Sequence, residues 1–370
     1  MHPLSKSMQR ELDDFYQRLN DNKVELRGIT KGALTQSRAK LNPEAFTYLD
    51  KITQEGFYKE GGPLRWGKYR VLSIDGSAIK LPHHATVEQE FGVHQFGRNS
   101  DSPQSMGRIT VLYDVLNGLS LDGTIGPYAK GERELSERHL NHVQKNDLVL
   151  FDRLYASKEL MINLKERQAD FIFRMKTGKP WKIVQDFCSQ GLTDKIVELK
   201  DGQTTFKVRL IKVSVPGSED QVLCTSVLQG RYTPEHFAEL YRRRWGIESF
   251  YKTFKNWMEL GNFSGKTALA VKQDFYSKLF LMNLCAAFSH PLNERIKNEK
   301  PKYQINRTQS LASIAKMPVS LFIKGRAVYR SVITAFDNII LKTIDIIRPG
   351  RKFIRRNRQK AKFSMNYKRL

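Results

Sequence analysis

Cysteine is scarce in this 370-residue chain. Cys188, Cys224 and Cys285 lie far apart and form no CxxC pair. That excludes a zinc module or a disulfide scaffold and predicts a reducing, cytoplasmic setting. His83, His84 and His94 fall in one loop, but their spacing is not that of a compact metal site, and they read as surface residues. No apolar run reaches the length of a membrane span, and the first residues hold no signal-peptide core. There is no internal repeat, and neither GxxxxGKS nor GxGxxG occurs, so a nucleotide-cradling loop is not indicated. Acid is in deficit: 38 Asp and Glu stand against 62 Lys and Arg, for a net charge of +24. Such an excess calls for a polyanionic partner, with nucleic acid the first candidate. A membrane surface would also attract it, but the chain offers no anchor.

The length gives room for two or three domains. Residues 1–62 read as helices over Leu4 to Leu19, Ile29 to Leu41 and, after Asn42-Pro43, Glu44 to Ile52. The middle one carries Lys31, Arg38 and Lys40, so the region is either a DNA-binding module or a helical cap. Residues 63–176 alternate strands and helices, as in a mixed α/β sheet. Strands are predicted at Arg70 to Leu81, Ile109 to Val115, Leu119 to Ile125, Asp147 to Phe151 and Asp170 to Met175, with helices at Glu132 to Val143 and Ser157 to Arg167. Asn117-Gly118 marks a hairpin between the second and third strands. Residues 177–232 break the alternation and read as a β-rich insertion. Residues 233–298 are helical and complete the core. Residues 299–370 hold a further helix from about Val328 to Ile347 and then RPGRKFIRRNRQKAKFSMNYKRL, a basic tail without an acid that reads as a mobile arm on phosphate.

Leu240 to Met258, LYRRRWGIESFYKTFKNWM, has apolar and basic residues at helical spacing. With Tyr241 at zero and a step of about 100° per residue, Arg244, Glu248, Lys252 and Lys255 fall at roughly 300°, 340°, 20° and 320°. One acid thus stands in a column of cations. Leu240, Ile247, Phe250, Tyr251, Phe254 and Met258 occupy the adjoining arc, although Arg243 falls there too. The stripe is either a metal-binding carboxylate among phosphate-binding cations or a basic face on which Glu248 pairs with Arg244 and Lys252.

Two further acids stand out. Asp75 interrupts an otherwise apolar strand, unless Asp75-Gly76 is a turn between two short strands. Asp152 ends the DLVLF strand. Carboxylates at the carboxyl ends of central strands are where such sheets place their sites. Hard cations such as magnesium take carboxylate oxygens, and a pair of them about 3.5–4 Å apart serves in-line phosphoryl displacement.

Tyr241, Arg244, Glu248 and Lys255 match the pattern Y-x2-R-x3-E-x6-K, and IDGS at Asp75 and LVLFDRLYAS at Asp152 precede it in order. FIFRMK around Arg174 and the run VKQDFYSKLFLMNL add to the likeness, which covers roughly Ile29 to Leu292. On these residues the chain resembles a DDE transposase of the bacterial insertion-sequence family defined by the YREK signature, the IS-four type. The resemblance implies a ribonuclease-H-like mixed-sheet catalytic core with a β-rich insertion and helical N- and C-terminal regions. It implies metal-dependent cleavage at transposon ends and strand transfer, by a cut-and-paste route. Asp75, Asp152 and Glu248 would be the catalytic acids and the ligands of two magnesium or manganese ions. Tyr241, Arg244, Trp245, Lys252, Lys255, Arg174 and Lys176 would contact DNA, the partner would be double-stranded DNA at the terminal inverted repeats and the target, and the DNA complex would hold a homodimer. Trp181 is a candidate wedge beside a flipped base, by location alone. Two other classes stay open: a DNA-binding protein without catalysis, and a nuclease on the same fold without strand transfer.

Overall fold

The computed structural model describes residues 8–19, 28–95, 103–178, 180–214, 219–315, 317, 325 and 328–348. The basic tail from residue 349 onward lies outside them. In chain order the helices are α1 (Met8–Leu19), α2 (Lys31–Ala39), α3 (Glu44–Glu60), α4 (Ala85–Phe91), α5 (Glu132–Ser136), α6 (Lys158–Glu166), α7 (Lys182–Ser189), α8 (Pro234–Arg242), α9 (Trp245–Lys252), α10 (Ala268–Glu299), α11 (Arg307–Ile314) and α12 (Tyr329–Lys342). The strands are β1 (Arg70–Lys80), β2 (Val93–His94), β3 (Gln104–Asp114), β4 (Leu119–Pro127), β5 (Asp147–Phe151), β6 (Asp170–Arg174), β7 (Asp194–Asp201), β8 (Thr204–Val213), β9 (Gln221–Thr225), β10 (Tyr303–Gln304) and β11 (Asp345–Ile346). Among the described residues no helix is long and apolar enough to cross a membrane.

The chain divides into two compact units. One comprises Pro63–Ala78 and Arg108–Lys252; the other comprises Met1–Gly62, Ile79–Gly107 and Thr253–Leu370. The main sheet runs β2-β3-β1-β5-β6-β9-β8-β7, with β4 paired to β3. Leu81 donates to Ser105 at 2.9 Å and Val115 to Val71 at 3.0 Å, so β1 and β3 run antiparallel. Gly118, at φ 77°, supplies the left-handed residue of the β3–β4 turn. β1, β5 and β6 are mutually parallel. The order β4-β3-β1-β5-β6 with this directionality is the ribonuclease-H-like core.

β1 is one continuous strand through Asp75-Gly76, so the turn reading falls. Val71 and Leu72 on one strand and all of Asp147–Phe151 on the next are buried, as central parallel strands require. The register between them is locked at its start. Arg70 pairs with Asp147 across the strands, through contacts of 2.8 and 2.7 Å to its two carboxylate oxygens. Both side chains are largely buried, so this is a committed pair rather than a solvated one.

Residues 177–232 are β-rich, as expected. They carry α7, and their strands extend the core sheet: β9 pairs antiparallel with β6, β8 with β9 and β7 with β8. The edge of a parallel run accepts antiparallel strands, and nothing in local periodicity separates an insertion's sheet from its host's. Three helix expectations also shift. α3 runs on through Gly56 to Glu60 because Phe57 is buried and anchors its last turn. The helix from Glu132 tightens to a 3₁₀ turn at Glu137–His142, where His139 is buried between Asp122 at 2.7 Å and Thr110 at 2.9 Å. α12 ends at Lys342, and β11 follows with β10 as its partner.

In the unit that carries the chain's first helices, α2 has no buried residue, yet Arg38 is not a free cation. It pairs with Asp274 of α10 at 2.7 Å and donates to the Ala270 carbonyl at 3.2 Å. Asn283 of α10 donates to Asp50 of α3 at 2.7 Å. These contacts favour the helical-cap reading, with Lys31 and Lys40 left exposed.

Candidate active site

The strand register sets the height of two acids. Arg70 stands opposite Asp147, and the parallel pairing continues to Ser73 opposite Leu150. Two residues further along each chain come Asp75, midway along β1, and Asp152, just past the end of β5, level with one another by that register. The same argument on the next pair places Arg174 beside Asp152, one step past Phe173 opposite Phe151. Both acids are half-buried. The Asp75 Oδ1 accepts from the Gly76 amide at 2.9 Å, and the Asp152 Oδ1 accepts from the Arg153 amide at 2.5 Å.

The third acid arrives on a helix that is not the single rod expected for Leu240 to Met258. Thr233 and His236 cap α8, with Pro234 in its first turn. Its Phe237, Leu240 and Tyr241 enter the core cluster with Val71, Leu148, Leu150 and Ile172. The chain then turns at Arg243-Arg244, where amides bond three residues back: Arg244 to Tyr241, Gly246 to Arg243 and Ile247 to Arg244. On a straight helix Tyr241 and Phe250 lie roughly 180° apart; here both are buried. The break lets both faces reach the core and leaves Arg243, out of place on the ideal arc, exposed. α9 then gives way to a π-helical turn at Thr253–Trp257, where the two units also part.

Two tyrosines of this segment brace the acid-bearing strands. Tyr241 donates to the carbonyl of Phe151, the residue before Asp152, at 3.1 Å. Tyr251 donates to the carbonyl of Asp75 itself at 2.7 Å. Tyr241, the phosphate contact that the signature implied, has its ring buried and its hydroxyl engaged on the strand. Arg244 is buried as well, and pairs with Glu248 at 2.8 Å. This is the pairing of the plainer reading of the stripe, made here on the buried side. Burial alone would depress the Arg244 guanidinium; Tyr241, the Glu248 hydrogen bond and the Asp152 charge hold it cationic. Burial pushes the Asp75 carboxyl from its ordinary 3.8 up to about 6, against the Gly76 hydrogen bond and the Arg244 charge, with Glu132 and Glu248 adding to the rise. Asp75, Asp152 and Glu248 are thus each in electrostatic reach of Arg244.

A match to a family model, the transposase DDE domain, covers residues 66–284. The chain belongs to the DDE transposase family. Two curated relatives come from Escherichia coli (strain K12). The transposase InsG for insertion sequence element IS4 is 21% identical over 307 residues, 79% of this chain and 68% of that one. The putative transposase InsZ is 21% identical over 164 residues, 42% of this chain and 54% of that one. Among solved structures, the piggyBac transposase synaptic complex with hairpin DNA gives a TM-score of 0.44 at 13% identity, covering 76% of this chain and 59% of that one.

In this DDE transposase Asp75, Asp152 and Glu248 offer carboxylate oxygens, the donor type that suits the divalent metal dependence of the family. Among the described residues, no three His, Cys, Asp or Glu are gathered at ligating distance. Glu248 is turned to Arg244.

Of the remaining predicted contacts, Trp245, Lys252 and Lys176 are exposed, and Arg174 and Lys255 are half-buried, Lys255 within the π turn. Trp181 precedes α7 and is half-buried. Sequence reasoning missed Tyr251, Tyr155 and the Arg108–Glu132 pair at 2.8 Å. Tyr251 had been read only as core, and Tyr155 lay unremarked within LVLFDRLYAS. Glu132 gave no signal beyond opening a helix.

Proposed function

We propose that this DDE transposase cleaves DNA at the ends of its element and transfers the freed strand into a target, by a cut-and-paste route, as a homodimer on double-stranded DNA. Asp75, Asp152 and Glu248 are the catalytic acids and would hold two magnesium or manganese ions. The single observation that carries the reading is the register: Asp75 and Asp152 come level on adjacent parallel strands, in electrostatic reach of the Arg244–Glu248 pair.

When bound, such ions stabilise both the entering and the leaving oxygen of an in-line phosphoryl displacement. The protein's own groups position the reactants. The strands fix two carboxylates in height. Tyr241 and Tyr251 keep those strand ends from shifting. Arg244 orients Glu248 and presents a planar fork that suits two phosphate oxygens. Lys252, Lys255, Arg174, Lys176 and the exposed Trp245 hold the DNA around the scissile bond, and the net charge of +24 supports the broader grip.

Asp75→Asn, Asp152→Asn and Glu248→Gln are each expected to abolish end cleavage and strand transfer in magnesium while leaving DNA affinity in place. Near wild-type cleavage by any one of them removes that residue from the acid set. DNA cutting by the wild type without joining to a plasmid target would favour the nuclease reading, and binding alone the inactive one.

A further inference from the structure

Glu132 opens α5, far in sequence from the three acids, and its side chain lies over Gly76. A Cβ built on Gly76 would meet the Glu132 Cγ at 2.7 Å, its Cδ at 3.0 Å and its Cβ at 3.3 Å. Glycine beside Asp75 is what lets this fourth carboxylate come so close. Arg108 of β3 holds it: Nη1 meets the Glu132 Oε1 at 2.8 Å, while Nη2 donates to the Tyr128 carbonyl at 3.3 Å and the guanidinium lies 4.8 Å from the Tyr128 ring centre. The other oxygen, Oε2, accepts no hydrogen bond among the described residues. The pair is largely buried, at 17% and 30% side-chain exposure, so water screens it poorly.

A second group points to the same place. The Tyr155 hydroxyl is buried and has no hydrogen-bond partner among the described residues. Burial, and then the charges of Asp75, Glu132 and Asp152, keep its proton on. A lone buried donor thus lies in electrostatic reach of three carboxylates that it does not bond. The two glutamates near Asp75 are matched in design: each is held by one arginine at 2.8 Å, Glu248 by Arg244 and Glu132 by Arg108.

We infer that Glu132 is a fourth acid of the site, a positioning residue whose charge strengthens divalent-cation binding beside Asp75 and whose contribution is metered by Arg108. The inference rests on Asp75 being a cation ligand, as proposed above. It sets Glu132 apart from an ordinary structural ion pair, because the two partners then act in opposite directions. Loss of the acid weakens the cation; loss of the arginine strengthens it. A pair that only holds α5 on β3 would cost both variants alike.

The test is manganese binding to the full chain without DNA, read as free Mn2+ by electron paramagnetic resonance, with urea unfolding of each variant alongside. Glu132→Gln is expected to weaken Mn2+ on the order of 10-fold, the scale of groups that act on a metal from behind its ligands. Arg108→Met, which keeps the side-chain volume, is expected to tighten Mn2+ several-fold although it loses some stability. Glu132→Asp, which keeps the charge but draws it back, should fall between wild type and Glu132→Gln, and it serves if the neutral variant does not fold. Equal affinities for wild type and Glu132→Gln, or a parallel loss in the Glu132 and Arg108 variants, would overturn the inference while Asp75→Asn still abolished binding. If Asp75→Asn itself left Mn2+ affinity unchanged, the proposed ligand set would fail first and this inference with it.

Discussion

The strand ends and the signature helix place their acids by different physics. Asp75 and Asp152 take their places from a ladder of backbone hydrogen bonds, pinned at its start by Arg70 and Asp147 and braced at its end by two tyrosines. Neither Cα can shift without moving a central strand. Glu248 takes its place from one ion pair, on a helix that begins after a tight turn and ends in a π turn. Its carboxylate can change partner by rotating a side chain. The comparison teaches that the fixed part of the site stores electrostatic strain, and that the adjustable part carries the counter-charge. The two can be separated by experiment.

The largest effect is expected on the fixed side. Asp75 has its carboxyl pushed up to about 6 by burial, with Glu132 and Glu248 contributing. An acid whose folded value exceeds its unfolded one binds protons more tightly when folded, so it favours the folded state as pH falls and opposes it when ionised. The rise from 3.8 to about 6 corresponds to about 3 kcal/mol against folding once both states are ionised. In EDTA, Asp75→Asn should therefore be more stable than wild type by up to about 3 kcal/mol at pH 7–8. The gap should close between pH 6 and pH 4 and vanish below the unfolded value. Urea midpoints across that range decide it. A gap independent of pH would mean that Asp75 is not strained at all, and the contrast between fixed and adjustable acids would lose its basis.

The adjustable side should respond in rate rather than stability. Arg244→Lys keeps the charge but loses the planar fork that meets Glu248 and lies within 6 Å of the Tyr241 and Trp245 ring centres. An ammonium in that pocket leaves Glu248 loosely aimed, and errors of about 1 Å in positioning cost on the order of 100-fold. Cleavage at the element's end, measured at saturating DNA, should fall by about that factor with overall DNA affinity kept. Arg242→Lys, exposed at the end of α8, is the control and should be nearly silent. Equal damage from both would reduce the segment to a basic surface.

These contrasts also explain what was legible in the sequence. Asp147 to Phe151 and Asp170 to Arg174 were readable because a strand buried on both faces has few alternatives. Asp75 and Asp152 were readable because an acid in or beside such a run needs a reason. The order of motifs identified the family. What escaped depends on distance across the fold. The break at Arg243-Arg244 is imposed by two faces that must both be buried, and ideal helical phase has no place for it. The Tyr241 hydroxyl also braces the carbonyl of Phe151, a contact that no motif announces. That strands β7 to β9 join the core sheet gave no signal, because pairing to β6 is a long-range fact. Glu132 was invisible because its nearness to Gly76 comes from packing alone.

The smallest effect is expected where the two regions join. Tyr251 ties α9 to the carbonyl of Asp75, and Tyr241 ties α8 to that of Phe151. Removing either hydroxyl deletes one buried hydrogen bond to a strand carbonyl, a loss of about 1 kcal/mol. Tyr241→Phe and Tyr251→Phe should therefore lower urea stability by similar amounts. Their effects on cleavage should differ. Tyr251 braces an acid directly, and its shorter bond bears on the residue itself; Tyr241 braces the residue before Asp152, and the Arg70–Asp147 lock already steadies that strand. Cleavage should fall more for Tyr251→Phe than for Tyr241→Phe at matched stability. If the order is reversed, the helix positions Asp152 and not Asp75, and the fixed half of the site would have to be redrawn around β5.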